Sequence, residues 1–238
     1  MYKRQAKQLT GSENLCLAGG VALNCVANGK IENSGLFQNI FIQPAAGDAG
    51  GAIGAALASY YIYFEKERQT KNNNGTENYN LGPSYTIGEI ELICKKFNAV
   101  YEDFELFEDL CTATATQLKD GKVVGWFQGR TEFGPRALGN RSILADARNK
   151  DMQLQLNLKI KFRESFRPFA PAVLAEYAAD YFELKSASPY MLLVQPLKKE
   201  FRNNLPENYS SLSLKEKLNT TRSKFPAITH AVSYTHLR

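Results

Sequence analysis

Arg130, Arg136 and Arg141 crowd into one short glycine-punctuated stretch, and Lys161, Arg163 and Arg167 arrive after an intervening apolar run. Residues of these types at this density do the chemistry of anions. A guanidinium presents a planar fork of donors that matches two phosphate oxygens at once, and its charge is not titrated away near neutrality. Three such forks in one loop repel one another unless an anion or carboxylates stand among them. Glu132, Asp146 and Glu164 can pair with some of these arginines and with Arg148, but not with all. Gly129, Gly134 and Gly139 free the backbone for positive φ, which turns N–H groups inward as a nest. Asn140 and Ser142 add neutral donors. The expectation is a phosphate cage. Phosphoryl and adenylyl chemistry rests on positioning and charge neutralisation, so no nucleophilic triad is needed and Ser142 reads as a donor.

Two weaker candidates precede the cage. Gly19-Gly20 ahead of Val21-Ala22-Leu23-Asn24 is either a plain strand-to-helix turn or bare backbone for a phosphate at a helix N-terminus, with Asn24 reaching the ligand. Asp48, between Gly47 and a run of small residues, is either a helix N-cap or one oxygen ligand of a metal, which a lone carboxylate cannot hold. Trp126, Phe127, Phe133, Phe162, Phe166 and Phe169 alternate with the basic residues. They read as core positions. A stacking surface for single-stranded nucleic acid is the alternative. Arg163 and Arg167 share a face only if helical, and Pro168 opposes helix at Arg167.

These groups need scaffolding, and the apolar periodicity supplies candidates. Residues 15–18 read as a buried strand, 21–28 as a short helix stopped by Gly29, 39–43 as a strand, and 48–67 as a small-residue helix with a bare face at Gly50, Gly51 and Gly54. Residues 70–80, polar and aperiodic, read as a linker between two domains. Beyond it, Thr86 and Glu89 form a capping box for a helix over 87–97. Helices follow over 106–120, 151–160 and 176–182, with strands over 122–127, 142–145, 169–174 and 190–194. The alternation argues for α/β or α+β layers.

The chain has 238 residues, 44% hydrophobic and 22% charged, enough for one large or two small domains. No run approaches the roughly 18 consecutive apolar residues of a membrane span, and no signal-peptide core opens the chain, so the cytoplasm is the default compartment. The formal charge of +5 suits an anionic substrate and is too modest for a nucleic-acid footprint. Cys16, Cys25, Cys94 and Cys111 sit in apolar segments without a Cys-x-x-Cys pair and read as buried thiols. Residues 1–5 and 232–238 read as adapter-derived ends and are set aside from the fold.

The chain resembles the carbamoyltransferase family of nodulation and antibiotic-tailoring O-carbamoyltransferases over nearly all of residues 6–231. The resemblance lies in Leu17-Ala18-Gly19-Gly20-Val21-Ala22-Leu23-Asn24, Pro44-Ala45-Ala46-Gly47-Asp48-Ala49-Gly50, Leu81-Gly82-Pro83, the run from Gly125 through Ser142, and Lys161-Phe162-Arg163-Glu164-Ser165-Phe166-Arg167-Pro168-Phe169-Ala170-Pro171. It implies that residues 6–69 end an actin-like ATPase domain that transfers the carbamoyl group. Residues 81–231 would then form a carbamoyl-adenylate-forming domain similar to tRNA threonylcarbamoylation synthases. ATP and carbamoyl phosphate would give carbamoyl adenylate and pyrophosphate, and the carbamoyl group would pass to a hydroxyl of a small-molecule acceptor, sugar-containing or another natural product. By the same resemblance Arg130, Arg136, Arg141, Ser142, Lys161, Arg163 and Arg167 would hold carbamoyl phosphate and the ATP phosphates. Gly19, Gly20, Asn24 and Asn140 would contact the nucleotide. Asp48 would be one ligand of a divalent metal, iron in the transfer domain, with magnesium accompanying ATP. The family's metal-binding histidine pair has no counterpart here. No nucleic acid and no membrane is expected as a partner, although an RNA-binding module and a threonylcarbamoyl-type tRNA role remain as alternatives.

Overall fold

The computed structural model describes residues 2–68, 79–230 and 234–237, so most of the proposed linker lies outside the described residues. The first half opens with α1 (Tyr2–Thr10), then β1 (Asn14–Leu17), a 3-10 turn (Gly20–Leu23), α2 (Cys25–Asn33) and β2 (Asn39–Ile42). β1 and β2 pair in parallel, with Asn14 opposite Asn39 and Leu17 opposite Ile42. A parallel pair requires a crossover, and α2 is that crossover. α3 (Asp48–Ala58) follows and relaxes into a π-helical turn, Ser59–Tyr63.

The second half carries α4 (Ile87–Lys96), α5 (Phe107–Lys119), β3 (Val124–Phe127), β4 (Arg141–Leu144), α6 (Met152–Gln155) with a π turn at Leu156–Ile160, α7 (Ala175–Tyr181), β5 (Leu193–Pro196), α8 (Leu214–Asn219) and β6 (Tyr234–Leu237). β3 pairs antiparallel with β4, and β5 with β6. Among the described residues, helices and three two-stranded sheets give a mixed architecture of α+β character. Two-stranded sheets gain little stability alone, so packing around them matters. Met152, Leu156 and Ala227 form one buried cluster with Val123, Ala145 and Phe169 against it; Phe182 and Leu197 form another beside Tyr181, Phe201 and Phe225. Among the described residues no helix is long and apolar enough to cross a membrane.

The halves meet along α2. Asn28, 2% exposed, donates through Nδ2 to the carbonyls of Ala22 at 2.8 Å and Leu192 at 3.0 Å. Gln195 donates to Glu32 at 2.7 Å, and Ser186 bonds the same carboxylate. A Cβ on Gly29 would stand 2.9 Å from Val194. Gly29 is therefore the point of closest approach inside α2 and not the helix stop expected from the sequence. The helix ends at Asn33 with Ser34 as its C-cap, and Gly35 takes the positive φ of 64°.

Other expectations change too. α3 stops well short of residue 67, and its N-cap is Gly47, leaving Asp48 as the first helical residue. Gly51 and Gly54 do leave a bare face, since a Cβ on either would meet nothing within 4 Å, but Gly50 does not, because a Cβ there would collide with the Ala45 carbonyl. Residues 169–174 form no strand, and the strand expected at 190–194 begins at Leu193, because Met191 takes a left-handed φ of 55° that strand pairing does not accept. Of the cysteines only Cys25 is buried; Cys16 and Cys111 are exposed. Thr86 and Glu89 form the expected capping box, with Glu89 accepting from the Thr86 amide at 2.7 Å and Thr86 Oγ1 accepting from the Glu89 amide at 3.3 Å.

Candidate functional site

The loop between β3 and β4 is closed by the pairing of Phe127 with Arg141 and Trp126 with Ser142. Gly129, Gly134 and Gly139 take φ of 53°, 113° and 102°. The backbone turns its N–H groups inward as expected, but the nest holds the protein's own acid. One oxygen of Glu132 accepts from the amides of Leu138 at 2.6 Å, Asn140 at 2.8 Å and Arg141 at 3.2 Å. Burial pushes this carboxyl up. The N–H groups of Glu132 itself, Asn140, Leu138 and Arg141 together outweigh burial and hold it below the usual carboxylate range. Asn140 stitches the base of the loop: its carbonyl accepts from Gln128 N at 2.9 Å and its amide donates to the Arg130 carbonyl at 2.6 Å. Ser142 Oγ accepts from Gly139 N at 2.9 Å.

The loop's arginines bond carbonyls. Arg130 donates to Gly82 at 2.9 Å and Leu81 at 3.2 Å. Arg141 donates to Asn140 at 2.7 Å and to Gln128 and Gly129 at 3.1 Å, with its guanidinium carbon 3.3 Å from the centre of the Phe127 ring. Arg136 donates to Leu23 at 2.9 Å. The expected pairing of Glu132 with an arginine is therefore replaced by backbone bonds. Asp146 pairs with Arg148 at 2.6 Å, and Glu164 with Arg167 at 2.8 Å.

The second basic segment has a different centre, one that the sequence reading missed. Asn157 is 0% exposed. Its Nδ2 donates to the carbonyls of Arg167 at 2.9 Å and Ser165 at 3.1 Å, and its Oδ1 accepts from Arg163 Nε at 2.7 Å. Arg163 also lies over the Phe169 ring at 4.9 Å. Arg163 and Arg167 do not share a helix face, since the chain leaves the helix at Lys161. Phe162 takes a left-handed φ of 48°, a strained state for a bulky residue. The signal available in the sequence was a lone Asn in the apolar run Leu156-Asn157-Leu158.

Phe127, Phe162 and Phe166 are 56%, 85% and 47% exposed, so the core role expected of them fails for these three, while Trp126, Phe133 and Phe169 are half-buried. Phe127 serves instead as the platform for Arg141.

A cavity of about 520 Å³ opens beside the loop, within the usual range for a small ligand. Trp126, Gln128, Gly129, Arg130, Gly139 and Asn140 line it, with Asn80, Leu144 and Ala172. The structure thus brings Arg130 and Asn140 together at a cavity. Arg136, Arg141, Ser142, Lys161, Arg163 and Arg167 do not line it, and neither do Gly19, Gly20, Asn24 or Asp48. A second cavity of about 640 Å³, mostly walled by small and aliphatic residues from Val173 to Pro189, shares Ala172 with the first.

In the first half, Gly19 has φ 84°, and a Cβ on Gly19 or Gly20 would meet nothing within 4 Å, so open space adjoins this turn. Asn24 is committed as the α2 N-cap, accepting from Ala27 N at 3.0 Å. Asp48 is exposed, and among the described residues no three His, Cys, Asp or Glu gather as a metal site. The described residues therefore do not fit a metal at Asp48.

The chain thus presents a guanidinium-rich loop beside a ligand-sized cavity. Family profiles for the carbamoyltransferase N-terminus and C-terminus match residues 2–57 and 115–236. An uncharacterized protein of Synechocystis is 57% identical over 222 residues, 92% of this chain and 36% of the relative. Nodulation protein NolNO of Sinorhizobium fredii is 43% identical over 85% of this chain and 30% of its own. Nodulation protein NolO of Bradyrhizobium diazoefficiens is 44% identical over 80% of this chain and 35% of its own. The chain therefore belongs to the carbamoyltransferase family, and spans about a third of the length of these relatives.

Proposed function

We propose that this chain comes from an ATP-dependent O-carbamoyltransferase and carries most of its carbamoyl-activating half. Family membership supports the group transferred. The observation that carries the rest is the loop's charge: Arg130 and Arg141 donate to carbonyls and neither to a carboxylate, so their positive charge remains for a phosphate. Fixed charge of this kind at a cavity stabilises a transition state without reorganising. Carbamoyl phosphate, ATP and one water would yield carbamoyl adenylate, pyrophosphate and phosphate.

In this reading Arg130, Asn140 and the Gly129 backbone hold phosphate oxygens at the cavity, with Arg141 and Ser142 fixing the loop behind them. Lys161, Arg163 and Arg167 supply further positive charge. Residues 81–231 form the adenylate-forming domain. Residues 6–69 belong to an actin-like transfer domain, where Gly19, Gly20 and Asn24 approach the nucleotide and a small-molecule hydroxyl accepts the carbamoyl group. Asp48 is given no metal in this reading, since no further ligands gather at it among the described residues, and no step is routed through it.

The test is carbamoyl-phosphate-dependent exchange of labelled pyrophosphate into ATP by the 238-residue chain. Exchange is expected, and Arg130→Ala should lower it roughly 100-fold. No exchange in the unaltered chain, or full exchange in the variant, would remove the activation assignment. The exposed rings of Phe162 and Phe166 favour a second reading, single-stranded RNA binding. RNA affinity that falls steeply with salt, without any exchange activity, would select it.

A further inference from the structure

The tip of the arginine loop, Gly134 to Arg136, does not line the cavity. Arg136 reaches across to the first half, where Nη2 donates to the Leu23 carbonyl at 2.9 Å. Leu23 ends the 3-10 turn that leads into Asn24, the α2 N-cap. Two residues before Arg136, Gly134 sits against the other motif loop of the first half. A Cβ on Gly134 would stand 2.9 Å from the Ala45 Cβ, and Ala45 is fully buried. Gly134 also has φ 113°, so both its conformation and its surroundings exclude a side chain. The fit continues at α2: the Arg136 guanidinium acts on the buried thiol of Cys25, drawing its pKa down against the larger upward push of burial. Arg136 Nε is itself buried with no acceptor.

A phosphate ligand would aim its fork at the cavity that Arg130 and Asn140 line. Arg136 aims its fork at a backbone carbonyl 113 residues away, and a charged donor makes that bond about twice as strong as a neutral one. We propose that Gly134 and Arg136 form a clasp that seats the cavity-lining loop on the two glycine loops of the first half, and that Arg136 is a positioning residue, not a phosphate ligand. Leu138, Asn140 and Arg141, tied to Glu132, follow directly in the chain, so the clasp and the cavity wall are one segment. Occupying the cavity and ordering the start of α2 are then linked, each favouring the other. The clasp rests on the carbamoyl-activation reading only for the identity of the cavity's ligand.

Backbone hydrogen exchange on the 238-residue chain tests it, with inorganic pyrophosphate as the cavity probe. Arg136→Ala should speed exchange over residues 21–28 by about tenfold or more while α5 keeps its protection. Pyrophosphate should slow exchange over 21–28 in the unaltered chain and not in Arg136→Ala. Arg136→Lys, which retains a donor and the charge, should restore part of both effects. Arg130→Ala should lose pyrophosphate affinity with residues 21–28 unchanged in the free chain, and Arg136→Ala should keep that affinity within about threefold. Unchanged exchange over 21–28 in Arg136→Ala, or loss of pyrophosphate affinity equal to that of Arg130→Ala, overturns the proposal. If Arg136→Ala also loosens α5, the milder Arg136→Lys is judged by the same comparison of 21–28 with α5. Absent pyrophosphate exchange into ATP would sink the activation reading and leave the clasp to be decided by hydrogen exchange.

Discussion

The loop between β3 and β4 and the segment after α6 are both arginine-rich, yet they are organised by opposite backbone polarity. In the first, three glycines turn N–H groups inward, and a carboxylate, Glu132, fills the resulting nest. In the second there is no glycine between Asn157 and Arg167, and the chain turns carbonyls inward onto a neutral amide. The difference teaches where charge can reside. A nest of N–H groups is a place for an anion, so the first loop is built around the negative charge of Glu132. The second is built around an uncharged donor, buries that donor completely, and holds Arg163 beside it as a fixed cation.

The largest expected effect falls on the buried amide. Asn157→Leu leaves two inward carbonyls and Arg163 without their partner, and should cost about 3 kcal/mol in urea unfolding. An effect near zero would mean water replaces the amide and would erase the contrast. Glu132→Ala should cost less, about 1 to 2 kcal/mol, because its loop lies nearer to solvent and the released N–H groups can hydrate.

The two centres also part company with pH. The folded Glu132 carboxyl lies below its ordinary unfolded value of about 4.3. Its stabilisation is therefore complete above that value and disappears as pH falls through the lower folded one. Asn157 has no such titration. Hydrogen exchange in acid should thus release the amides of Leu138, Asn140 and Arg141 before the protection around Asn157 is lost. Simultaneous release would break the comparison. The smallest effect is expected at Phe162, whose left-handed backbone a glycine adopts without strain. Phe162→Gly should stabilise the chain by about 0.5 kcal/mol in the same unfolding assay.

Several features were legible because their causes lie within a few residues. Thr86 and Glu89 cap α4 because a hydroxyl and a carboxylate three positions apart reach each other's amides whatever surrounds them. Gly129, Gly134 and Gly139 take positive φ because only glycine does so freely. The basic character of the arginine loop was legible for the same reason. Residues whose partners come from elsewhere misled the reading. Gly29 had the appearance of a helix stop, but Val194, brought in by β5, makes it the contact point within α2.

By itself, then, the sequence determined the helix caps, the glycine turns, the basic character of the two segments and membership of the carbamoyltransferase family. The tertiary structure decided which arginine faces which partner. Glu132 went to backbone amides instead of a guanidinium, Asn157 became the hub of the second segment, and Arg136 crossed to Leu23. The physical reason is reach. Caps and φ angles are set by atoms at most a turn away along the chain, whereas a long guanidinium side chain bonds whichever carbonyl the fold delivers to its tip. Packing of α2 against β5, not local spacing, sets the relation of the two halves within which that carbonyl is offered.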